Sequence, residues 1–418
     1  MKAKAAEFLM STTAMRRVTW LLMGALLLVY GGWIAYVIAA DRPLDANVYL
    51  IAAEIIARGG DPYTITTAQW DATAGQMGIT NFVRPYRYPP HTALLLLPLL
   101  GLPPRGAALI WVTASALGMV AGAWFLARLF PQPYSRPLAL LLLLLLVPPL
   151  TTLLAGQVNG LLYLCTALGL VWLAAEQRLR AGLMLAAGAL LKVLPLALIL
   201  YLFWRKQWRT GLIAMAMLLL LILLAIPLTG WDGMVSYFRL GVLLGEPGTI
   251  SPEPTNQTFT AFLGRTFTGV EASQLLMLGR LLSLAMVAAT AALCLPIGDF
   301  QEYLIREYAL IVTALHMIAP FTWYHQLVML HLPLFVVAML MVAKRQVGRL
   351  IGLFAIVALV DIHGLFWHQI TAVIDNGWWM SSPLLLMLCL WGYLAVDVAA
   401  GKVAWRRRHR DAQDVRQF

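Results

Sequence analysis

The sequence predicts an all-α protein that crosses a membrane many times. Of its 418 residues, 61% are hydrophobic and only 12% are charged, and the mean hydropathy is +0.79. A soluble protein of this length does not need so much apolar surface. Residues 20–40 alone form an apolar run of about 20 residues, which at roughly 1.5 Å per residue spans the ~30 Å hydrocarbon core of a bilayer. The chain is therefore predicted to be an integral membrane protein.

Basic residues form short clusters between the apolar runs. One cluster contains Arg205, Lys206 and Arg209, and another occupies residues 406–410. The formal net charge is +11, but this distribution is typical of the positive-inside rule and not of a nucleic-acid groove. We therefore place these clusters in the cytoplasm and expect no nucleic-acid partner.

The cysteines are few and apolar in context. They are Cys165, Cys294 and Cys389, and none has the spacing of a metal-ligand set. We interpret them as small core residues and predict neither a disulfide framework nor a metal site.

Charge and segment length together predict about ten full spans. Spans one, two, three and five are placed at residues 20–40, 106–129, 138–154 and 211–228. Both termini are then cytoplasmic. The predicted membrane domain covers residues 1–404, and residues 405–418 form a short cytoplasmic basic tail.

Two further segments are predicted to enter the membrane without crossing it. Residues 89–101 form an apolar stretch of 13 residues that is broken by Pro98 and is too short to span. Residues 181–204 carry basic clusters at both ends and have Lys192 and Pro195 at their centre. A re-entrant hairpin of two half-helices satisfies both the charge rule and the proline.

The first segment predicted at the outer face begins with a helical pattern. Apolar residues recur there at helical spacing, at Leu44, Val48, Ile51 and Ile55. This spacing predicts an amphipathic helix in the membrane interface, with Asp45 and Tyr49 on a neighbouring face. Asp45 is either a first-turn residue that stabilises the helix dipole or a functional carboxylate.

The same outer segment carries further polar candidates. A Gly-Gly-Asp-Pro-Tyr turn ends at Tyr63, and Arg84, Arg87 and Tyr88 follow before the first predicted hairpin. Two arginines beside a membrane either hold a substrate phosphate or contact lipid headgroups.

Other polar candidates lie in the second outer segment and at membrane depth. Asn256 and Gln257 offer amides suited to sugar hydroxyls, and Arg265 offers a fork for phosphate. Gln157, Asn159 and Lys192 fall within the apolar regions, where a polar side chain is costly unless it is paired or lines a cavity. Lys192 in particular needs water or an anion.

The order of these motifs resembles a known family. From residue 45 to residue 326 the chain carries an Asp in the first outer segment, then Gly-Gly-Asp-Pro-Tyr, Tyr-Pro-Pro, Gly-Gln-Val-Asn, Lys-x-x-Pro, Asn-Gln and a late Tyr-His. This succession resembles glycosyltransferase family 87 of the C-type membrane glycosyltransferase superfamily. The resemblance implies a C-type glycosyltransferase bundle in a bacterial plasma membrane.

The resemblance also implies an activity. Such an enzyme moves a hexose, here mannose, from a polyprenyl-phosphate sugar donor to a lipid or glycan acceptor at the outer face, with inversion. Asp45 then matches the catalytic base, and His325 matches an active-site histidine that contacts the donor phosphate. Membrane lipids are the remaining partners, and we expect no cofactor and no obligatory metal.

The complete set of candidate substrate-binding residues combines the resemblance with the polar residues found above. Lys192, Gln157 and the Asn256–Gln257 pair are carried over from the family pattern, and Lys192, Arg265 and His325 are the candidates for stabilising the departing phosphate. The full set is Tyr49, Tyr63, Arg84, Arg87, Tyr88, Gln157, Asn159, Lys192, Asn256, Gln257 and Arg265.

Two readings of other classes remain. A transporter or lipid flippase would use intramembrane charges for substrate passage, and inverted repeats would favour it; the sequence shows none. A scaffold without activity does not explain the cost of so many buried polar groups. Within the transferase reading, the sequence leaves the sugar open among mannose, glucose and arabinofuranose.

Overall fold

The computed structural model describes residues 12–42, 44–83, 85–239, 250–371 and 377–414. Over these residues the chain is helical and has no strand, apart from an isolated β-bridge between Asn256 and Trp323. The predicted all-α class is confirmed. The chain divides into two compact units, which are described separately below.

The first unit contains Met1–Leu173, Gln177–Leu196 and Leu212–Pro247. Its helices are α1 (Thr12–Ala39), α2 (Leu44–Ala57), α3 (Thr67–Gln76), α4 (Pro90–Leu94), α5 (Pro104–Leu126), α6 (Ser135–Leu145), α7 (Pro148–Ala155), α8 (Asn159–Ala174), α9 (Arg178–Leu191) and α11 (Trp208–Arg239). The last residue of α8 and the first turn of α11 belong to the second unit. Short 3₁₀ turns occupy Leu97–Leu99 and Ala127–Leu129.

The second unit contains Ala174–Glu176, Ala197–Gly211 and Gly248–Phe418. Its helices are α10 (Leu196–Trp204), α12 (Phe259–Thr266), α13 (Ala272–Leu293), α14 (Phe300–Ile318), α15 (His331–Ala343), α16 (Val347–Thr371) and α17 (Ser382–Asp414), with 3₁₀ segments at Tyr324–Leu330 and Trp379–Ser381. Helix α17 runs through residue 404, where the sequence alone placed a domain boundary.

Seven helices in the described residues are long and apolar enough to cross a membrane, or eight if a bent pair is one span. That pair is α6 and α7, which meet at 59° beside Pro148 and Pro149. Helix α8 has only 16 residues. A multi-pass membrane protein is therefore supported, but the predicted count of ten spans and two hairpins is not confirmed.

The two predicted hairpins are interrupted where prolines occur. Helix α9 ends at Leu191 and α10 begins at Leu196, with Lys192 in extended backbone between them. Residues 89–101 form helix α4 and the 3₁₀ turn Leu97–Leu99. The breaks are thus confirmed, while re-entry into a membrane stays a prediction.

Helix α2 forms as predicted but is not amphipathic. Its residues from Ala46 to Ala53 are all buried, including Tyr49, which has no exposed surface. The predicted amphipathic character of this helix is not confirmed, and its position in the membrane interface stays a prediction. Spacing identified the helix, but residues of other elements cover both faces, a long-range effect that spacing does not encode.

Small residues bring α5 and α8 into close contact. Gly118 and Gly122 of α5 lie one turn apart, and Gly118 faces the backbone of Gly160 in α8. The Gly160 amide donates to Ser115 Oγ (3.2 Å), and Ser115 Oγ donates to the carbonyl of Gln157 (3.0 Å). This packing resembles the small-residue contacts that let membrane helices approach closely.

Gly160→Ala is expected to destabilise the first unit by about 1–3 kcal/mol, the usual cost of overpacking. A Cβ at this position would overlap the Ser115 carbonyl oxygen, which belongs to rigid backbone. Unfolding in mixed detergent micelles measures the change. Gly24→Ala is the matched control, since nothing lies within 4 Å of a Cβ at Gly24. Equal stability of the two variants would contradict the close packing.

The second unit contains a buried ionic cluster. Glu307 of α14 has no exposed surface, and it pairs with Arg205 (3.1 Å) and Lys402 (2.7 Å). The Tyr201 hydroxyl donates to Glu307 Oε2 (2.7 Å). Lys402 and Arg205 also donate to the carbonyl of Leu295, just beyond the end of α13. We call Glu307, Arg205, Lys402 and Tyr201 the Glu307 cluster.

Candidate functional site

Asp45 lies in the first turn of α2, in the first unit. The beginning of this helix is held by two amide side chains. Asn47 Nδ2 donates to the carbonyl of Asn81 (2.7 Å), and Asn81 Nδ2 donates to the carbonyl of Asp41 (2.6 Å). These bonds fix the segment that carries Asp45 to the loop before Tyr88.

Tyr88 connects Asp45 to a second polar side chain. Its hydroxyl donates to Asp45 Oδ1 (3.2 Å) and accepts from Gln157 Nε2 (2.8 Å). Gln157 is 2% exposed; its Oε1 accepts from the Tyr49 hydroxyl (3.3 Å), and it also hydrogen-bonds to Asp45. Residues distant in sequence therefore form one hydrogen-bonded network.

A cation completes this group. Lys192 Nζ donates to Asn159 Oδ1 (2.7 Å) and lies 5.6 Å from the centroid of the Tyr88 ring. Lys192 reaches this position because α9 ends just before it and the backbone is extended there. We call the group the Asp45 cluster: Asp45, Tyr49, Tyr88, Gln157, Asn159 and Lys192.

Aromatic rings surround the Asp45 cluster. The Tyr49 ring meets the Tyr88 ring edge-on at 4.7 Å and the Trp111 ring at 5.7 Å. The Tyr63 hydroxyl donates to the Tyr88 carbonyl (2.6 Å), and the Tyr63 ring lies 5.8 Å from that of Tyr237. Tyrosine supplies an apolar face together with a polar edge, a combination that suits a sugar ring.

Burial raises the pKa of the Asp45 carboxyl above its usual range. The hydrogen bond from Gln157, the charge of Lys192 and the hydrogen bond from Tyr88 oppose this shift without cancelling it. A carboxylate with a raised pKa is a stronger base than one in water, and it acts as a base only at pH values above that pKa.

Two residues that sequence reasoning missed support the loop that carries Gln157. Trp111 Nε1 donates to the carbonyl of Gly156 (2.9 Å), and Ser115 bonds to the Gln157 backbone as described above. Both lie on α5. The sequence signal for them was their spacing: Trp111 and Ser115 each carry a hydrogen-bond donor and lie four residues apart, on one face of a largely apolar helix.

In the second unit, the structure gives Asn256 and Gln257 structural roles. They are 2% and 0% exposed. Asn256 Oδ1 accepts from the Thr322 amide and its Nδ2 donates to the Ser251 carbonyl, while Gln257 bonds to the backbone of Met380 and Leu384. These amides satisfy buried backbone groups. Their contact with sugar hydroxyls stays a prediction.

Arg265 also donates hydrogen bonds to groups of the second unit. Its Nη1 donates to the carbonyls of Glu253 (2.7 Å) and Asn256 (2.6 Å), and its Nε and Nη2 donate to Ser381 Oγ. Burial lowers the pKa of its guanidinium to about 10. The Arg265 guanidinium therefore holds the loop before α12, and its contact with phosphate stays a prediction.

Three candidates remain, of which one lies outside the described residues. His325 is half-buried on the 3₁₀ segment Tyr324–Leu330 of the second unit. Arg87 is exposed, one residue before Tyr88. Arg84 lies outside the described residues. The structure tests neither the catalytic role of His325 nor the phosphate role of the arginines.

Where the structure describes the chain, no group of three or more His, Cys, Asp or Glu side chains could hold a metal ion. Independence from a cofactor or metal stays a prediction.

Comparison with known proteins gives two matches. The model of "Glycosyltransferase family 87" matches residues 86–320, a segment that contains Tyr88, Gln157, Asn159 and Lys192. A relative from Mycobacterium tuberculosis (strain H37Rv) is 27% identical over 413 residues, covering 92% of this chain and 91% of the relative. Its name is polyprenol-phosphate-mannose-dependent alpha-(1-2)-phosphatidylinositol mannoside mannosyltransferase.

Proposed function

This chain belongs to glycosyltransferase family 87, and on that premise we propose that it moves a mannosyl residue from a polyprenyl-phosphate mannose to a lipid or glycan acceptor. The name of the mycobacterial relative supports the donor and a mannosylated phosphatidylinositol lipid as the acceptor class. The Asp45 cluster is the observation that carries the proposal. It joins a partly desolvated carboxylate to a cation and aromatic rings in one unit. These findings do not favour a transporter or flippase.

The reaction needs a base and a group that accepts negative charge. In the proposed step, Asp45 takes the proton of the acceptor hydroxyl while that oxygen attacks the anomeric carbon from the face opposite the phosphate. The bond between the anomeric carbon and the phosphate oxygen breaks, and the electron pair leaves with the polyprenyl phosphate. A β-linked donor then gives an α-linked product. A positioned base contributes about 10²–10⁴-fold to such a step.

Lys192 is the proposed partner of the departing phosphate. Its ammonium has three donors, of which Asn159 takes one. Preorganised cations lower a barrier most when they face the position where charge develops. Tyr49, Tyr63 and Tyr88 are proposed to pack on the sugar, and His325 keeps its proposed contact with the donor phosphate.

The outer face remains the proposed location of the reaction, because the positive-inside rule places the segment that carries Asp45 there. Mannose is the proposed sugar on the strength of the relative's name alone.

The experiment that tests this function uses the purified chain in proteoliposomes. Polyprenyl-phosphate mannose, glucose and arabinofuranose, each radiolabelled, are offered with mannosylated phosphatidylinositol as acceptor. We expect transfer from the mannose donor and an α-linked product. Transfer from one of the other two donors would contradict the choice of sugar. Movement of the intact donor across the bilayer without product would contradict the enzyme class.

Tyr88→Phe is expected to shift the acid limb of the pH dependence of kcat/KM to higher pH. The hydroxyl of Tyr88 is one of the groups that oppose the burial-driven rise in the Asp45 pKa, so its loss lets that pKa rise further. We also expect kcat/KM to fall roughly tenfold, since a hydrogen bond to a charged group contributes ~1.5–3 kcal/mol and ~1.4 kcal/mol is tenfold.

The comparison variant for this prediction is Tyr49→Phe. Its hydroxyl donates to Gln157 and has no hydrogen bond to Asp45, so the acid limb should move less than in Tyr88→Phe. An unchanged limb in Tyr88→Phe would show that the Tyr88 hydroxyl does not set the protonation of the base.

A further inference from the structure

A cavity of about 480 Å³ lies between α16 and α17 in the second unit. Lys344 lines it from the loop between α15 and α16, Arg349 lines it in the first turn of α16, and Gly392, Val396 and Asp397 line it on α17. None of these residues belongs to the Asp45 cluster. The cavity is therefore a feature that the proposed reaction does not use.

Positive charge exceeds negative charge around this cavity. Asp397 Oδ1 contacts Lys344 Nζ, and Asp397 Oδ2 lies 3.2 Å from Arg306 Nε. Both oxygens of the carboxylate are thus engaged. Arg349 is exposed and has no ion pair with any carboxylate in the part of the chain that the structure describes. The one carboxylate of the lining, Asp397, is thus paired with two cations, and Arg349 keeps its guanidinium for a further anion.

The cavity lies where α17 changes from apolar to charged. No charged residue occurs in α17 before Asp397, and Lys402 and Arg406 follow it. Such a change marks the level of the lipid headgroups in a spanning helix. The rim is apolar on the outside, because Val396 is 71% exposed and Ile351 of α16 is 65% exposed.

We propose that this cavity binds the headgroup of an anionic phospholipid. The phosphate accepts hydrogen bonds from the guanidinium of Arg349 and the ammonium of Lys344, and the acyl chains pack against Val396 and Ile351. Basic pockets between membrane helices are suited to such headgroups because they combine charge with an apolar rim. The site is independent of the sugar-transfer reaction and of its location.

The test uses the full-length chain, purified in detergent and stripped of lipid. Native mass spectrometry measures the dissociation constant for phosphatidylglycerol, with phosphatidylcholine and inorganic phosphate as the other probes. We expect phosphatidylglycerol to bind at least about tenfold more tightly than either probe, a difference of ~1.4 kcal/mol. Equal binding of phosphatidylcholine would overturn the charge selectivity, and equal binding of inorganic phosphate would overturn the commitment to a lipid.

Two variants remove different halves of the site. Arg349→Gln removes the fork, and Gly392→Leu fills the cavity with a side chain, since nothing lies within 4 Å of a Cβ at Gly392. Each is expected to weaken phosphatidylglycerol binding about fivefold or more. The glycine variant leaves every charge in place and improves helix propensity, so a loss of binding there is not a loss of folding.

Arg345→Gln is the matched control. Arg345 is an exposed cation of the same loop and does not line the cavity. We expect its phosphatidylglycerol affinity to stay within about twofold of the parent. If Arg345→Gln weakens binding as much as Arg349→Gln, or if Gly392→Leu binds like the parent, the headgroup does not occupy the cavity and the proposal fails.

Discussion

Asp45→Asn is expected to lower the turnover of mannosyl transfer by about 10²–10⁴-fold, the contribution of a positioned general base. Asparagine keeps the size of the side chain and an oxygen that accepts the hydrogen bond from Tyr88. It cannot take a proton from the acceptor hydroxyl. The variant should therefore fold and bind donor while losing the chemical step.

The measurement is single-turnover transfer of radiolabelled mannose in proteoliposomes, together with donor binding by the same preparation. We expect binding within a few fold of the parent and a rate reduced in the range above. Asp232→Asn is the matched control, because Asp232 is an exposed carboxylate of the first unit. Full activity in Asp45→Asn would assign the proton transfer to another group.

Glu307→Gln is expected to lower the free energy of unfolding by about 3–5 kcal/mol, the usual cost of breaking a buried ion pair from one side. The side chains of Arg205 and Glu307 are 1% and 0% exposed, and that of Lys402 is 8% exposed. Glutamine keeps the shape and the bond from Tyr201, but it leaves two buried cations without a carboxylate.

This prediction is measured by unfolding of the purified chain in mixed micelles with increasing denaturing detergent. Glu302→Gln is the matched control, since Glu302 is on the same helix and makes an exposed pair with Arg408 at 3.9 Å. We expect that control to change stability by less than about 0.5 kcal/mol. Adding Lys402→Met to Glu307→Gln removes one of the unpaired cations and should recover part of the loss.

A result in which both single variants lose the same stability would argue against a special role for the Glu307 cluster. So would a double variant that is less stable than Glu307→Gln alone. In either case the contacts of Lys402 and Arg205 with the carbonyl of Leu295 would be the more important part of the network.

Several predictions rest on signals that are local in the sequence. Apolar run lengths identified the helices, because a span must satisfy its backbone internally. Pro195 predicted the break that brings Lys192 out of α9, because a proline in a helix interior removes a hydrogen bond. The position of Asp45 in a first helical turn followed from the spacing of its apolar neighbours.

Other features could not be predicted from the sequence because they depend on contacts between distant segments. The burial of α2 on all sides needs neighbours that its own pattern does not reveal. The partners of Asn256 and Gln257 are backbone groups of their own unit, and Arg265 bonds to backbone carbonyls and to Ser381 Oγ of that unit, none of which residue type predicts. Residue type describes what a side chain can bind, and only the fold decides what it meets.

The sequence by itself determined the membrane class, most of the helices, the break at Lys192 and the position of Asp45 in a first helical turn, because length, proline and charge act locally along the chain. Only the tertiary structure decided that Gln157 bonds to Tyr88 and Tyr88 to Asp45, that Asn159 bonds to Lys192 and that Glu307 lies among buried cations. These pairs are separated by many residues in sequence. Their energies depend on burial and direction, which exist only after the helices pack.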